Sequence, residues 1–332
     1  MFSSQDIGID LGTASILVYV KDHGIVMHEP SVVAVDTASK RLLAVGENAQ
    51  RMIGRNPAGI TVIRPLRDGV ISDYQSTELM IRYILDKVCS KSFFKPRVVV
   101  CIPCVVTEVE KKAVIDATTG AGARAAYLIE EPIAAAIGAG LDIAKPSGSM
   151  VVDIGGGTSD IAVISLGSMV VHDSIKVAGD EFDQAIIRYI RKKHSMVIGE
   201  RTAEEVKKEI GCVYPKATPN VADVKGRSLV SGLPVVVQVS SEEILEALEE
   251  AAAAIVDAVK GVLERTPPEL IGDISAKGMV LTGGGALISG LDRLLSKETG
   301  LDVTVADDAI SCVARGTGKA LGAMRALKKS QR

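Results

Sequence analysis

The sequence lacks the two commonest nucleotide fingerprints. No GxxxxGKS or GxxxxGKT occurs, which excludes a P-loop, and no GxGxxG follows the first apolar segment, which argues against a dinucleotide site. No apolar run approaches the length of a membrane-spanning helix, and the N-terminus does not read as a signal peptide. Basic residues are not in excess: the net charge of −3 gives no electrostatic case for nucleic acid. Tryptophan is absent, Phe occurs four times, and the four His residues form no cluster. Five cysteines, an odd number without framework spacing, fit a reducing cytoplasm rather than a disulfide scaffold. Cys101 and Cys104 make one CxxC inside VVVCIPCVV. With no second pair it reads as two buried thiols at a strand end, not as a zinc or redox centre.

What is present is a device used twice. Ile7 to Val20 reads IGIDLGTASILVYV, and Met150 to Ile164 reads MVVDIGGGTSDIAVI. Each is an apolar strand, an Asp, a turn of small residues and a second apolar strand. Such a hairpin tip offers backbone N–H groups and hydroxyls with little side-chain bulk, the surface a polyphosphate needs. Asp10 and Asp153 each precede a turn, where a carboxylate can hold hydrated Mg²⁺. One Gly-rich turn alone is weak evidence. Two copies in register, spaced by close to half the chain, imply two related domains closing on one nucleotide. A third cluster, Gly283, Gly284 and Gly285, follows the apolar run from Lys277, and a helix beginning there would be an anion site.

With 332 residues, 47% of them hydrophobic, the chain can build two such domains with real cores. Residues 6–20 and 24–36 read as strands, with Pro30 an edge or break. Residues 77–89 read as a helix with Met80, Ile81, Ile84, Leu85 and Val88 on one stripe. Residues 97–102 read as a buried parallel strand. Thr107 with Glu110 and Ser240 with Glu243 form capping boxes, the second opening a long helix to Leu263 whose stripe includes Ile244, Leu248, Ile255 and Val259. Thr202 with Glu205 forms another, which places Glu204 and Lys207 on one helical face, where an exposed ion pair would contribute under about 1 kcal/mol. Residues 214–233 read as loops and short strands. Strands alternate with helices, so the class is α/β with largely parallel, doubly covered sheets. In LIEEPIAAAIGAG, Pro132 suits the first helical position, which puts Glu131 at the cap and Glu130 just before it. A carboxylate there can orient a water toward phosphates across a cleft, or simply complement the helix dipole.

These motifs carry a family resemblance. Asp10-Leu-Gly-Thr13, the run from Asp153 to Thr158, Glu130-Glu-Pro132 and Thr282-Gly-Gly-Gly285 resemble the actin-like ATPase superfamily. HEPSVVAVD from His28, RPLRDGVISDY from Arg64, IGERTAE from Ile198 and LERTPPEL from Leu263 look like the bacterial actin MreB and its paralogues, over essentially the whole chain. Ser15 departs from the Asn usual in that family's first phosphate turn. The resemblance implies an actin-like fold with domain I at 1–145, its small subdomain at about 33–73, and domain II at 146–332, its small subdomain at about 182–244. It implies a slow, Mg²⁺-dependent ATPase binding ATP and ADP. Gly12, Thr13, Ala14 and Ser15 would meet the phosphates from one side, and Gly155, Gly156, Gly157 and Thr158 from the other. Gly179, Glu204, Glu205, Val206 and Lys207 would face ribose and base, with Gly283, Gly284, Gly285, Ala286 and Leu287 completing the adenosine side. Glu131, with Glu130 as the alternative, and Thr158 would position the attacking water. The same resemblance implies a homopolymer filament on the inner face of the cell membrane, serving cell shape with wall-synthesis and morphogenesis proteins. A small-molecule kinase of the same superfold and a plasmid-partitioning actin are the alternatives.

The membrane expectation has a residue basis too. Phe93 and Phe94 sit side by side in KSFFKPR, a loop by its Lys-Ser and Lys-Pro flanks, where large apolar side chains are normally avoided. Lys91, Lys95 and Arg97 would meet anionic headgroups, each adding up to about 1 kcal/mol, and Met1 and Phe2 would add a small second anchor. The family carries an apolar membrane loop at the matching place. Single chains would bind weakly and a filament would multiply the contact.

Overall fold

The computed structural model describes residues 6–89 and 95–330; Met1, Phe2, Lys91, Phe93 and Phe94 lie outside the described residues. The apolar segments flanking each Gly-rich turn pair as antiparallel hairpins: Asp6–Leu11 with Ser15–Val20, and Ser149–Ile154 with Ser159–Ser165. A third antiparallel strand follows each, Gly24–Pro30 in the N-terminal half and Ser168–Ile175 in the C-terminal half. On the other flank lie two parallel strands, Arg97–Ile102 and Ala125–Glu130 in one half, Met279–Thr282 and Val303–Val305 in the other. The two five-stranded sheets therefore have the same strand order, as a duplicated unit requires.

The sheets are mixed rather than largely parallel. The first three strands of each are joined by turns too short for a crossover helix, so they must run antiparallel, and only the later strands arrive by helical crossovers. Pro30 does end its strand, and Val33–Asp36 joins a separate small sheet with Leu42–Val45 and Ile60–Ile63. The region expected as loops and short strands contains the eight-residue strand Val221–Ser228, paired antiparallel with Pro234–Ser240.

Local chemistry sets the helix ends. Thr107–Glu110 and Ser240–Glu243 are reciprocal capping boxes, with Ser240 opening the helix Ser241–Arg265. That helix's apolar stripe, from Ile244 to Val262, is buried in the core of the C-terminal half together with Phe182, Ile161 and Val163. Each such side chain contributes about 1.5–3 kcal/mol by leaving water. The helix expected from residue 77 begins at Tyr74, because Asp73 Oδ1 accepts from the Ser76 N–H at 2.7 Å and caps it earlier. Thr202 is not a cap: its helix, Glu200–Ile210, begins after Gly199, so the Thr-x-x-Glu pattern falls inside and Glu205 pairs with Arg201 instead.

Two helices join the halves. Glu131–Gly138 and Cys312–Ser330 cross where glycine faces backbone: a Cβ on Gly138 would lie 1.8 Å from the Cys312 carbonyl oxygen, and one on Gly316 would lie 1.7 Å from that of Ala134. Around this crossing Ala134, Ala135, Ala136 and Val313 pack with Cys101 of the first sheet and Val151, Ala162 and Ile164 of the second. Cys101 and Cys104 have separate partners, Thr317 Oγ1 at 2.6 Å and the Asp173 carbonyl at 3.3 Å.

Candidate functional site

The turns of the two matched hairpins meet at the floor of a cleft of about 760 Å³ between the halves. They meet closely because they carry almost no side chain. A Cβ on Gly156 would lie 2.5 Å from the Ala14 Cβ, and one on Gly157 would lie 2.6 Å from Thr13 Oγ1. The first turn is braced by the Ser31 N–H, which donates to the Ala14 carbonyl at 3.0 Å, and by the Gly69 N–H, which donates to Thr13 Oγ1 at 3.0 Å. The second is braced by the helix Gly179–His194, whose Gly179 and Asp180 N–H groups donate to the Gly155 and Gly156 carbonyls at 3.1 and 2.7 Å.

Gly12, Thr13, Ala14 and Ser15 line the cleft on one side and Gly155, Gly156, Gly157 and Thr158 on the other. Gly179, Glu204, Lys207, Gly283, Gly284, Gly285 and Leu287 also line it. Three of the expected nucleotide-binding residues do not line it: Glu205 is exposed, Val206 is buried in the core, and Ala286 points inward at 2% exposure. A regular helix does not start at Gly285. A single 3₁₀ turn, Gly285–Leu287, intervenes and the helix proper is Leu291–Thr299, so the third cluster presents backbone rather than a helix end. Gly283 sits at φ +82, with the Ile154 carbonyl 2.2 Å from where a Cβ would be, which only glycine permits. Lys207 does not pair with Glu204. Its Nζ reaches Asp183 at 2.9 Å and the Gly179 carbonyl at 2.8 Å, while Glu204 pairs with Lys208 at 2.6 Å.

Four carboxyl groups gather beneath the turns. Asp10 and Asp153 occupy equivalent register positions, one residue before the end of their strands. Thr282 Oγ1–H donates to Asp153 Oδ1 at 2.7 Å. Burial pushes Asp153 up to about 7, and burial with the Asp153 charge pushes Asp10 up to about 8. Glu131 is the first residue of its helix and Glu130 the N-cap, one position earlier than Pro132 suggests, because Pro132 takes the second helical position. Glu131 is 9% exposed and lines the cleft, whereas Glu130 does not. Burial first, then Asp160, Asp10 and Asp153, raise the Glu131 carboxyl well above the usual range.

Asp160 was not anticipated. It is fully buried, and its Oδ1 accepts from the Cys104 N–H at 2.8 Å. Its signal lies in the repeat itself: matching the two turns sets Asp160 on Leu17, so an acid stands in the second copy where the first has an apolar residue. Also unanticipated were Arg64, Asp180 and Glu200, which line the cleft.

The arrangement provides backbone donors on both sides of an anion, two carboxylates for a hard cation and one buried acid facing the same space. Among the described residues no cluster of three or more His, Cys, Asp or Glu could hold a metal. A pair of carboxylates suits Mg²⁺, which keeps water and phosphate oxygens as its other ligands. Burial first, and neighbouring carboxylates second, raise these two carboxyls, and a bound cation would favour their charged forms.

The MreB/Mbl protein family model matches residues 4–329. The chain is 54% identical over 316 residues to the cell shape-determining protein Mbl of Bacillus cereus, covering 95% of each. It is 54% identical over 324 residues to the cell shape-determining protein MreB of Escherichia coli K12, covering 96% of this chain and 93% of that one. Among solved structures, MreB5 of Spiroplasma citri bound to ADP superposes with a TM-score of 0.94 at 38% identity, covering 99% of each chain. MamK in its double helical filament, at 22% identity and a TM-score of 0.83 over 96% of this chain and 99% of that one, shares the fold.

Proposed function

This chain belongs to the MreB/Mbl family of bacterial actins, and on that premise we propose that it binds ATP and ADP with Mg²⁺ between its halves, hydrolyses ATP slowly and works as a membrane-bound filament in cell-shape control. The observation that carries the reading is the pair of matched turns in contact across one cleft, each with its carboxylate. The MreB5 structures bound to ADP and AMPPNP support it.

The halves 1–145 and 146–332 act as two jaws, with 33–73 and 182–244 as their outer parts. Backbone N–H groups of Gly12–Ser15 and Gly155–Thr158 donate to phosphate oxygens. Asp10 and Asp153 hold Mg²⁺, which supplies charge neutralisation on the phosphates when bound. Glu131, beneath the turns and lining the cleft, accepts a hydrogen bond from the attacking water and aligns it, and Thr158 opposite fixes its position. The protein supplies alignment rather than covalent chemistry, which suits slow turnover. Gly179, Glu204, Lys207, Gly283, Gly284 and Leu287 face the nucleoside.

No helix among the described residues is long and apolar enough to cross a membrane, and Phe93 with Phe94 attaches the filament to the inner face of the cell membrane. Its partners are further copies of itself and proteins of cell-wall synthesis and morphogenesis. Calorimetry tests the nucleotide site. Asp153→Ala should abolish Mg²⁺-dependent ATP binding, and equal affinity of the wild type with and without Mg²⁺ would sink the assignment.

A further inference from the structure

Arg64 follows the small-sheet strand Ile60–Ile63 and lines the cleft. Its guanidinium approaches Asp180 Oδ1 at 3.7 Å and Glu200 Oε2 at 3.4 Å. Both acceptors belong to the other half: Asp180 stands in the first turn of the helix Gly179–His194, and Glu200 opens the helix Glu200–Ile210. All three side chains line the mouth of the cleft, and they are 29%, 38% and 52% exposed, so the contact lies at the rim and not on the floor. The nearby cation Lys207 is committed within its own half, to Asp183 and the Gly179 carbonyl. Among the described residues, Arg64 alone forms an ion pair across the cleft here. A second cross-cleft pair, Lys176 with Asp68 at 3.5 Å, lies at the Thr13–Gly69 end.

Resting on the nucleotide-binding reading, we propose that Arg64, paired with Asp180 and Glu200, is a latch across the cleft mouth that sets how fast nucleotide enters and leaves. Nucleotide bound against the turns must pass between these side chains to escape. Burial raises the Asp180 carboxyl, with Arg64 and Lys207 opposing the rise and Glu200 and Glu204 adding to it. The distances are those of loose, partly solvated pairs rather than tight bidentate bonds. Such pairs are individually weak and screened by salt. The latch therefore changes rates several-fold, in both directions alike, and leaves the equilibrium affinity in place.

Stopped-flow fluorescence with a mant-labelled ATP and Mg²⁺ on the full chain tests this. Arg64→Gln should speed association and dissociation three- to tenfold each, with the Kd within about twofold of wild type. Wild-type dissociation should quicken as salt rises, and the variant's should respond much less. Arg64→Gln/Glu200→Gln should dissociate no more than marginally faster than Arg64→Gln alone, since both changes open one contact. Arg82→Gln, whose pair with Glu78 stays within one half, should keep both rates, and melting curves verify that each variant is folded. Unchanged rates in Arg64→Gln would overturn the latch. So would faster dissociation with unchanged association, which would mean that Arg64 holds the nucleotide itself. A wild type that binds no nucleotide would instead refute the underlying reading.

Discussion

Adding one methyl group at Gly156 tests whether the two turns must touch. In the native chain a Cβ there would stand 2.5 Å from the Ala14 Cβ, 3.0 Å from its nitrogen and 3.3 Å from its Cα. Carbon atoms at rest sit about 3.5–4.0 Å apart, so Gly156→Ala must spread the turns by about 1 Å. Overpacking of this kind costs about 1–3 kcal/mol, which lowers the melting temperature by several degrees and leaves the chain folded. The functional loss should be larger, because a 1 Å misplacement of groups that align a reaction costs roughly a hundredfold in rate. The assays are thermal melting with and without Mg-ATP, then phosphate release. The expected result is a small drop in the free melting temperature, a much reduced shift on adding nucleotide, and phosphate release down about a hundredfold. Ala14→Gly in the same chain removes the facing methyl and leaves the 3.0 Å contact to nitrogen, so the double variant should recover most of the loss. If Gly156→Ala binds and turns over like wild type, or if Ala14→Gly fails to improve it, the turns do not act as one surface.

Three further outcomes are expected. Asp153 and Asp10 hold their protons up to about 7 and about 8. The native state therefore binds protons that the unfolded chain releases near pH 4, and the nucleotide-free protein loses stability as pH rises from about 4, levelling off once these carboxyls ionise above about 7 and 8. Its melting temperature should fall from pH 6 to pH 8.5 and Asp153→Asn should flatten the fall; a rising profile would reverse the sign. Glu131→Gln should keep ATP affinity and slow phosphate release by roughly 10²–10⁴-fold, with Glu130→Gln near wild type; the opposite result would move the role to Glu130. Phe93→Ser/Phe94→Ser should still pellet with ATP above a threshold concentration but fail to co-sediment with anionic liposomes, and full retention on liposomes would remove the loop as anchor.

The turns were legible because their chemistry is local. Asp10, Gly12, Asp153 and Gly156 sit in a few consecutive residues whose spacing already fixes strand, turn and strand. What lay beyond reach depends on distant neighbours. Asp160 is buried under the site only because its strand pairs in register with Asp153. Lys207 prefers Asp183 over Glu204 because another helix brings that carboxylate within 2.9 Å. Arg64 meets its partners only once the two halves face each other. Thr202 misled for a different reason: a capping pattern is defined relative to a helix start, and Gly199 moved the start. The mixed sheets follow from loop length, which the alternation of strands and helices hides.

The crossing at Gly138 and Gly316 has a mechanical consequence. Packed helices usually key side chains of one into grooves of the other, which sets their angle. Here backbone rests on backbone among alanines, with no side chain interlocked at the point of closest approach. Such a contact resists sliding apart, since the surfaces are already as close as they can be, yet it offers little resistance to a small rotation. If the halves turn about this crossing, a few degrees there become ångströms at groups farther away. The crossing is built from the two smallest residue types, and side-chain bulk added there would force the two helices apart.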